Sequence, residues 1–126
     1  MNKALIERPL PEAETERFLR FLGLCRRAGK TVHGTPLVCT ALAAKHPPFL
    51  VLMSDEASEG TKKRLCNKTS FYRVPLLSLP VSCERLAKAV GKTGVLAAVA
   101  VADENFAREL AKIYAKGKDS SPEEDR

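Results

Sequence analysis

Three apolar runs, set between segments of helical period, leave this chain few architectures. Phe49, Leu50, Val51, Leu52 and Met53 follow one another with no polar face, the pattern of a strand buried on both sides. Residues 74–79 form a second strand, and Pro75 near its start makes it either an edge strand or a late starter, because proline cannot donate to a ladder. Residues 95–101 form a third buried strand, rich in small side chains, and residues 31–33 leave room only for a short extended piece. Helical patterns lie between and around them. In residues 15–28, Phe18, Leu19, Leu22, Cys25 and Ala28 make one stripe, and Gly29 is a natural stop. Thr35 reads as the cap of a second helix with Pro36 in its first turn, ended by His46, Pro47 and Pro48. A third helix runs over about 56–69 with Leu65 and Cys66 inward, and Ser82 caps a short fourth that ends at Val90 and Gly91. Asp103 caps a last helix that continues through Tyr114 and stops at Gly117. Strands alternating with helices predict an α/β fold: a three-layer α/β/α sandwich around a four-stranded mixed central sheet.

The chain has 126 residues, which suits one domain. Residues 1–14 are expected as an N-terminal extension, 15–116 as the folded unit and 117–126 as a disordered acidic tail. No apolar run approaches the roughly 20 residues that a membrane-spanning helix needs, and the first residues lack a signal-peptide core. A cytoplasmic protein is expected. Cys25, Cys39, Cys66 and Cys83 are too dispersed for a metal site or cofactor anchor, and each reads as a reduced packing residue.

Charge is unevenly placed. Residues 1–16 hold two basic and four acidic side chains, residues 117–126 hold the same numbers, and residues 17–116 hold 17 against 7. A folded part this basic attracts polyanions, of which nucleic acid is the commonest. The clusters are Arg26, Arg27 and Lys30; Lys62, Lys63, Arg64 and Lys68; and Lys88 with Lys92. Two Gly-Lys-Thr triplets, at 29–31 and 91–93, follow helices and lack the leading glycine and strand of a phosphate loop, so they read as basic corners. In both cases the residue at the leading position, Leu24 or Leu86, falls on a helix face expected to be buried. His33 has no obvious partner for nucleophilic chemistry, and the chain does not read as an enzyme. Phe18, Phe49 and Phe106 take core positions, leaving Phe71 and Tyr72 as candidates for exposed rings. Phosphate contact is therefore favoured over base stacking.

Several short motifs occur in a specific order: residues 22–30 (LGLCRRAGK), Gly34, residues 49–54 (FLVLMS) with Asp55 and Ser58, Thr61-Lys62-Lys63, Val74-Pro75, Gly91-Lys92 and residues 95–101 (VLAAVAV). In this the chain resembles the bacterial YlxQ proteins, within the superfamily of archaeal ribosomal protein L-seven-Ae, eukaryotic L-thirty-e and the Gadd proteins. The resemblance covers about residues 16–115 and implies a non-catalytic binder of structured RNA, ribosomal or kink-turn-like; a monomer is expected. It implies an interface of Gly34 and Thr35 at the start of the second helix and Lys92, Thr93, Gly94 and Val95 before the last strand. Arg26, Arg27, Lys30, Lys62 and Lys63 would surround it. Pro36, Leu37 and Thr40 stand where the family pattern has Asn, Glu and Lys to read sheared G·A pairs. The alternative is an adaptor on the ribosome or transcription machinery, its basic face meeting an acidic protein.

Overall fold

Glu12 and Glu14 in a first turn and Arg26 and Arg27 in the last complement the dipole of the helix they bound, α1 (Glu12–Arg27). The computed structural model describes residues 10–119. After α1 come β1 (Thr31–His33), α2 (Thr35–Leu42), β2 (Leu50–Ser54), α3 (Glu59–Tyr72), β3 (Leu76–Leu79), α4 (Cys83–Ala89), β4 (Ala98–Val101) and α5 (Glu104–Asp119).

The sheet order is β1-β4-β2-β3. β4 runs antiparallel to both β1 and β2, and β3 runs parallel to β2, with α3 making the crossover. The sheet is therefore mixed, and β3 is an edge strand that also starts late, at Leu76 just after Pro75. Strand alternation divides the core in two. Leu50, Leu52, Val99 and Val101 point to the side of Phe18, Leu22, Leu86 and Leu110, from α1, α4 and α5. Val51, Met53, Ala98 and Ala100 point to the side of Val38, Leu42 and Leu65, from α2 and α3. Three layers result, as the alternation of elements predicts.

Several local expectations are corrected. α1 begins at Glu12, before residue 15, because Pro11 presets an extended entry and the Thr15 hydroxyl and N–H both turn back to the Pro11 carbonyl. Leu10 is buried in the same core. Gly117 does not stop α5. A Cβ there would lie 2.5 Å from Leu10 Cδ1 and 2.9 Å from Glu14 Cβ, so glycine serves the close approach of α5 to α1. Lys118 and Asp119 continue that helix, while residues 1–9 and 120–126 of the expected extension and tail lie outside the described residues.

α3 starts after Ser58, whose hydroxyl accepts the Thr61 N–H, and not near Glu56. β4 is shorter than the run 95–101. Burial also differs: Leu24 and Cys66 face outward on their helices, Phe49 precedes β2 and is exposed, and Cys83 is only partly covered. Cys25 and Cys39 are buried, and burial pushes the Cys25 thiol up to about 11, out of reach of thiolate chemistry.

Candidate nucleic-acid interface

Strand pairing gathers one set of chain ends. His33 pairs with Val99, Met53 with Ala98 and Ser54 with Leu79, so the C-terminal ends of β1, β2 and β3 share an edge of the sheet with the start of β4. From that edge α2, α3 and α4 all depart, and the loop 90–97 returns to it. Three helix N-termini, each with partial positive charge, therefore face one end of the molecule.

The caps differ. Ser58 and Ser82 accept first-turn N–H groups of α3 and α4 through their hydroxyls. α2 has no such cap: its N-cap is Gly34, at φ 93° and ψ 143°, and Thr35, expected as the cap, is the first helical residue. Glycine is needed because this backbone conformation is closed to other residues. Gly34 is held from both sides, its N–H donating to the Ala98 carbonyl at 2.9 Å and its carbonyl accepting the Val38 N–H at 2.9 Å. Thr35 and Leu37 keep first-turn N–H groups with no partner inside the helix, whereas Pro36 has none to offer. Such donors suit a phosphate.

Cations surround this point. The Arg26 guanidinium packs against Gly91, where an added Cβ would stand 3.1 Å from Cζ, so the end of α1 is tied to the loop 91–95. His33 lies beside both: burial, then the charges of Lys92 and Arg26, hold its imidazole below the usual range. Its Nε2 is 2.7 Å from Thr31 Oγ1. Gly29 and Gly91 turn the two basic corners at φ 76° and 72°. Lys30 enters β1 there, its carbonyl accepting the Ala102 N–H. Thr93, Gly94 and Val95 form the exposed loop tip, with Val95 70% exposed.

Arg26, Gly34 and Lys92 thus come together around His33, with Arg27, Thr35 and the loop tip adjoining in the chain, whereas Lys30 stands level with Ala102, the length of β1 away from Gly34. Lys62 and Lys63 lie in the first turns of α3, whose N-terminus faces the same end as that of α2. Lys62 is already engaged, its ammonium 3.6 Å from the Glu59 carboxylate. Three nearby features escape sequence reasoning. His33 joins the cluster through strand pairing, which local patterns do not encode. Leu37, in the first turn of α2, is 61% exposed. Arg20 lies behind the corner with Lys88, which the sequence already groups with Lys92, and the spacing of Arg20, Leu24 and Arg27 is the signal that could have found it.

The exposed rings lie elsewhere. Phe71 is 77% exposed at the C-terminal end of α3, and Phe49 precedes β2, its N–H bonded to Val101; both belong to the opposite end of the sheet. Tyr72 packs edge-on against Phe71 and is half-buried. Phe106, expected in the core, is half-buried edge-on to Phe21. The arrangement can hold phosphates; it has no aromatic platform among the described residues at this end. Nor do the described residues contain a cluster that could hold a metal ion, or a helix long and apolar enough to cross a membrane.

No protein-family model matches the chain. A curated relative, "RNA-binding protein YlxQ" of Bacillus subtilis (strain 168), is 35% identical over 92 residues, covering 73% of this chain and 89% of the relative. The Enterococcus faecium protein of the same name is 28% identical over 102 residues, covering 81% and 95%. Among solved structures, a Bacillus halodurans protein of unknown function superimposes with a TM-score of 0.73 at 30% identity, over 79% of this chain and 97% of that one. A 15.5 kDa RNA-binding protein of Giardia lamblia does so with a TM-score of 0.70 at 13% identity, over 93% and 97%, which extends the likeness of fold.

Proposed function

Because this chain belongs to the YlxQ family, we propose that it binds structured RNA, ribosomal or kink-turn-like, without catalysing a reaction on it. The binding end is the one where β1, β2 and β3 finish. The observation that carries this reading is the corner itself: the uncapped N-terminus of α2 lies beside Arg26 and Lys92 on the loop 91–95. Backbone donors and cations there converge on an anion, and among the described residues neither Arg26 nor Lys92 has a carboxylate within ion-pair distance. The names of the curated relatives, both RNA-binding proteins, agree with it.

Arg26, Arg27, Lys30, Gly34, Thr35, Lys92, Thr93, Gly94 and Val95 make the contact surface, and Lys62 and Lys63 contribute from α3. Gly34 and Thr35 grip through the backbone. Base reading is weak, because Pro36 and Leu37 have no polar side chain and the Thr40 hydroxyl is bonded to the Pro36 carbonyl at 3.1 Å. The protein acts as a cytoplasmic monomer in this reading.

The test is a fluorescence-anisotropy titration of a short-stemmed kink-turn RNA with the natural chain and with the variant Lys30→Glu/Lys92→Glu. The natural chain binds, and the variant loses affinity by about tenfold or more at physiological salt, as expected for two phosphate contacts turned repulsive. Equal affinities would move the interface elsewhere. Failure of the natural chain to bind any folded RNA, with a purified protein free of excess 260 nm absorbance, would return the basic face to an acidic protein partner.

A further inference from the structure

A groove of about 540 Å³ runs between α1 and α4, behind the loop 91–95 and on the other face of the sheet from α2. Arg20, Leu24 and Arg27 line it from α1, where four- and three-residue spacings place them on one face. Arg85 and Lys88 line it from α4, and Gly91 and Arg26 close the end next to the loop. Its floor is shut: a Cβ on Gly23 would lie 3.3 Å from the Ala89 carbonyl oxygen, so the two helices touch there. A ligand lies along this furrow and does not enter the fold.

The charges in the groove are unequally spent. Glu16, the acid in its lining, stands 3.9 Å from Arg85, which also donates to both carboxylate oxygens of Glu12. Arg20, Arg26, Arg27 and Lys88 have no carboxylate within ion-pair distance among the described residues. Four uncompensated cations in one concave strip repel one another and attract an anion. Three are arginines, whose planar forks fit phosphate in a bidentate manner. The strip is also continuous with the corner at the α2 N-terminus, because Arg26 rests on Gly91 and Gly91 opens the loop.

We propose that the α1–α4 groove is a second phosphate-binding surface, taking the backbone of an RNA stem that continues past the loop 91–95. The proposal rests on the RNA-binding reading and adds Arg20 and Lys88 to the footprint. Leu24, 52% exposed between Arg20 and Arg27, meets the sugar edge of that strand. An acidic peptide could use the same cations and seat an apolar side chain on Leu24. Continuity with the corner and the absence of a deep apolar pocket favour RNA.

The test uses the full chain, the variant Arg20→Gln/Lys88→Gln, and two kink-turn RNAs that differ only in stem length. Both substituted residues are exposed, and a thermal melt checks that the variant folds. The natural chain prefers the long-stemmed RNA by about tenfold or more. Its salt slope on that RNA exceeds the variant's by about 2, at roughly 0.9 for each phosphate that the variant leaves without a cation. The variant binds both RNAs with the affinity that the natural chain has for the short one. A variant that keeps the long-stem preference and the slope overturns the proposal. Loss of poly-L-glutamate binding in the variant with RNA binding unchanged also overturns it, and assigns the groove to an acidic protein. If the natural chain binds neither RNA, the RNA-binding reading falls and this proposal with it; if it binds the short RNA but gains nothing from the long one, only the groove proposal falls.

Discussion

Replacing Gly34 with alanine separates the backbone of the α2 N-terminus from every side chain around it. Gly34 is at φ 93° and ψ 143°, a region that L-residues avoid. An added Cβ would meet Leu96 Cδ2 at 3.7 Å and Pro36 Cδ at 4.0 Å, ordinary contact distances. The cost is therefore conformational and not steric, about 1–3 kcal/mol for a residue held in a sparsely populated region. At about 4 °C per kcal/mol for a chain of 126 residues, the midpoint falls by roughly 4–12 °C.

Gly29 supplies the control. Its φ is 76° and a Cβ would have nothing within 4 Å, so Gly29→Ala costs about 1–2 kcal/mol, the ordinary left-handed penalty. Urea denaturation at 10 °C gives both values, and RNA affinity is read at the same temperature, where each variant is folded. Gly34→Ala should lose more stability than Gly29→Ala and also lose RNA affinity, because relaxing φ turns the Thr35 and Leu37 N–H groups away from their common direction. A loss below about 0.5 kcal/mol, the scatter of neutral surface substitutions, together with natural affinity, would refute the assignment of that conformation to the site.

Two further outcomes follow from the electrostatics. For an RNA too short to reach Arg20 and Lys88 in the α1–α4 groove, Arg26, Arg27, Lys30, Lys63 and Lys92 give a slope of log affinity on log salt of about −4.5, and a loss of roughly 500-fold between 50 and 200 mM. The variant Lys62→Glu/Lys63→Glu should reduce that slope by about 1 and not 2, since Lys62 already faces Glu59; an unchanged slope would remove α3 from the interface. His33 gives a pH dependence. Its folded imidazole lies below the ordinary value of about 6.5, so as pH falls below that value the unfolded chain takes up a proton that the folded chain refuses, and stability declines. Phosphate on Lys92 and Arg26 offsets their charge and raises the imidazole again, so RNA binding takes up a proton and affinity rises as pH falls from 7.5 to 5.5. Titrations of the natural chain and His33→Asn at both pH values check this, and an equal rise in the variant would exclude His33 as its source.

The layers of the fold are legible in the sequence because each rests on local chemistry. An apolar run as short as 49–53 suits a strand covered on both faces, as Leu50 to Met53 are, and Pro75 delays the start of β3 to Leu76. The two basic corners are legible from Gly29 and Gly91 following helical stripes. Register on the helices is legible in part. The stripe of Phe18, Leu19, Leu22 and Cys25, and Leu65 on α3, are buried as the spacing predicts, but Leu24 and Cys66, which have the apolar character of inward residues, are exposed. Gly117 is deceptive for a different reason: glycine near a helix end reads as a stop, but here the space between α5 and α1 admits no side chain. The site is half visible. Arg26, Gly34 and Lys92 can be named from the sequence and the family resemblance, but their meeting depends on β1 pairing with β4, over more than 60 residues of chain. His33 becomes part of the site only through that pairing.

The departures at Pro36, Leu37 and Thr40 test whether α2 can read bases as well as hold phosphates. All three side chains are exposed on α2, so new polar side chains fit without disturbing the core. Pro36→Asn returns a backbone donor, Leu37→Glu adds a carboxylate where the helix dipole favours one, and Thr40→Lys releases the Pro36 carbonyl from the threonine hydroxyl. Bidentate base contacts carry about 1–3 kcal/mol each, so the triple variant should distinguish a kink-turn RNA from one with its sheared G·A pairs changed to Watson–Crick pairs by about 100-fold or more. The natural chain should bind both weakly and nearly equally, because backbone donors and lysines meet phosphates in either RNA. Gel-shift titration of both RNAs with both proteins decides it. A natural chain that already separates the two RNAs by about 100-fold, the discrimination expected of three base-reading side chains, would show that residues other than these three read the kink.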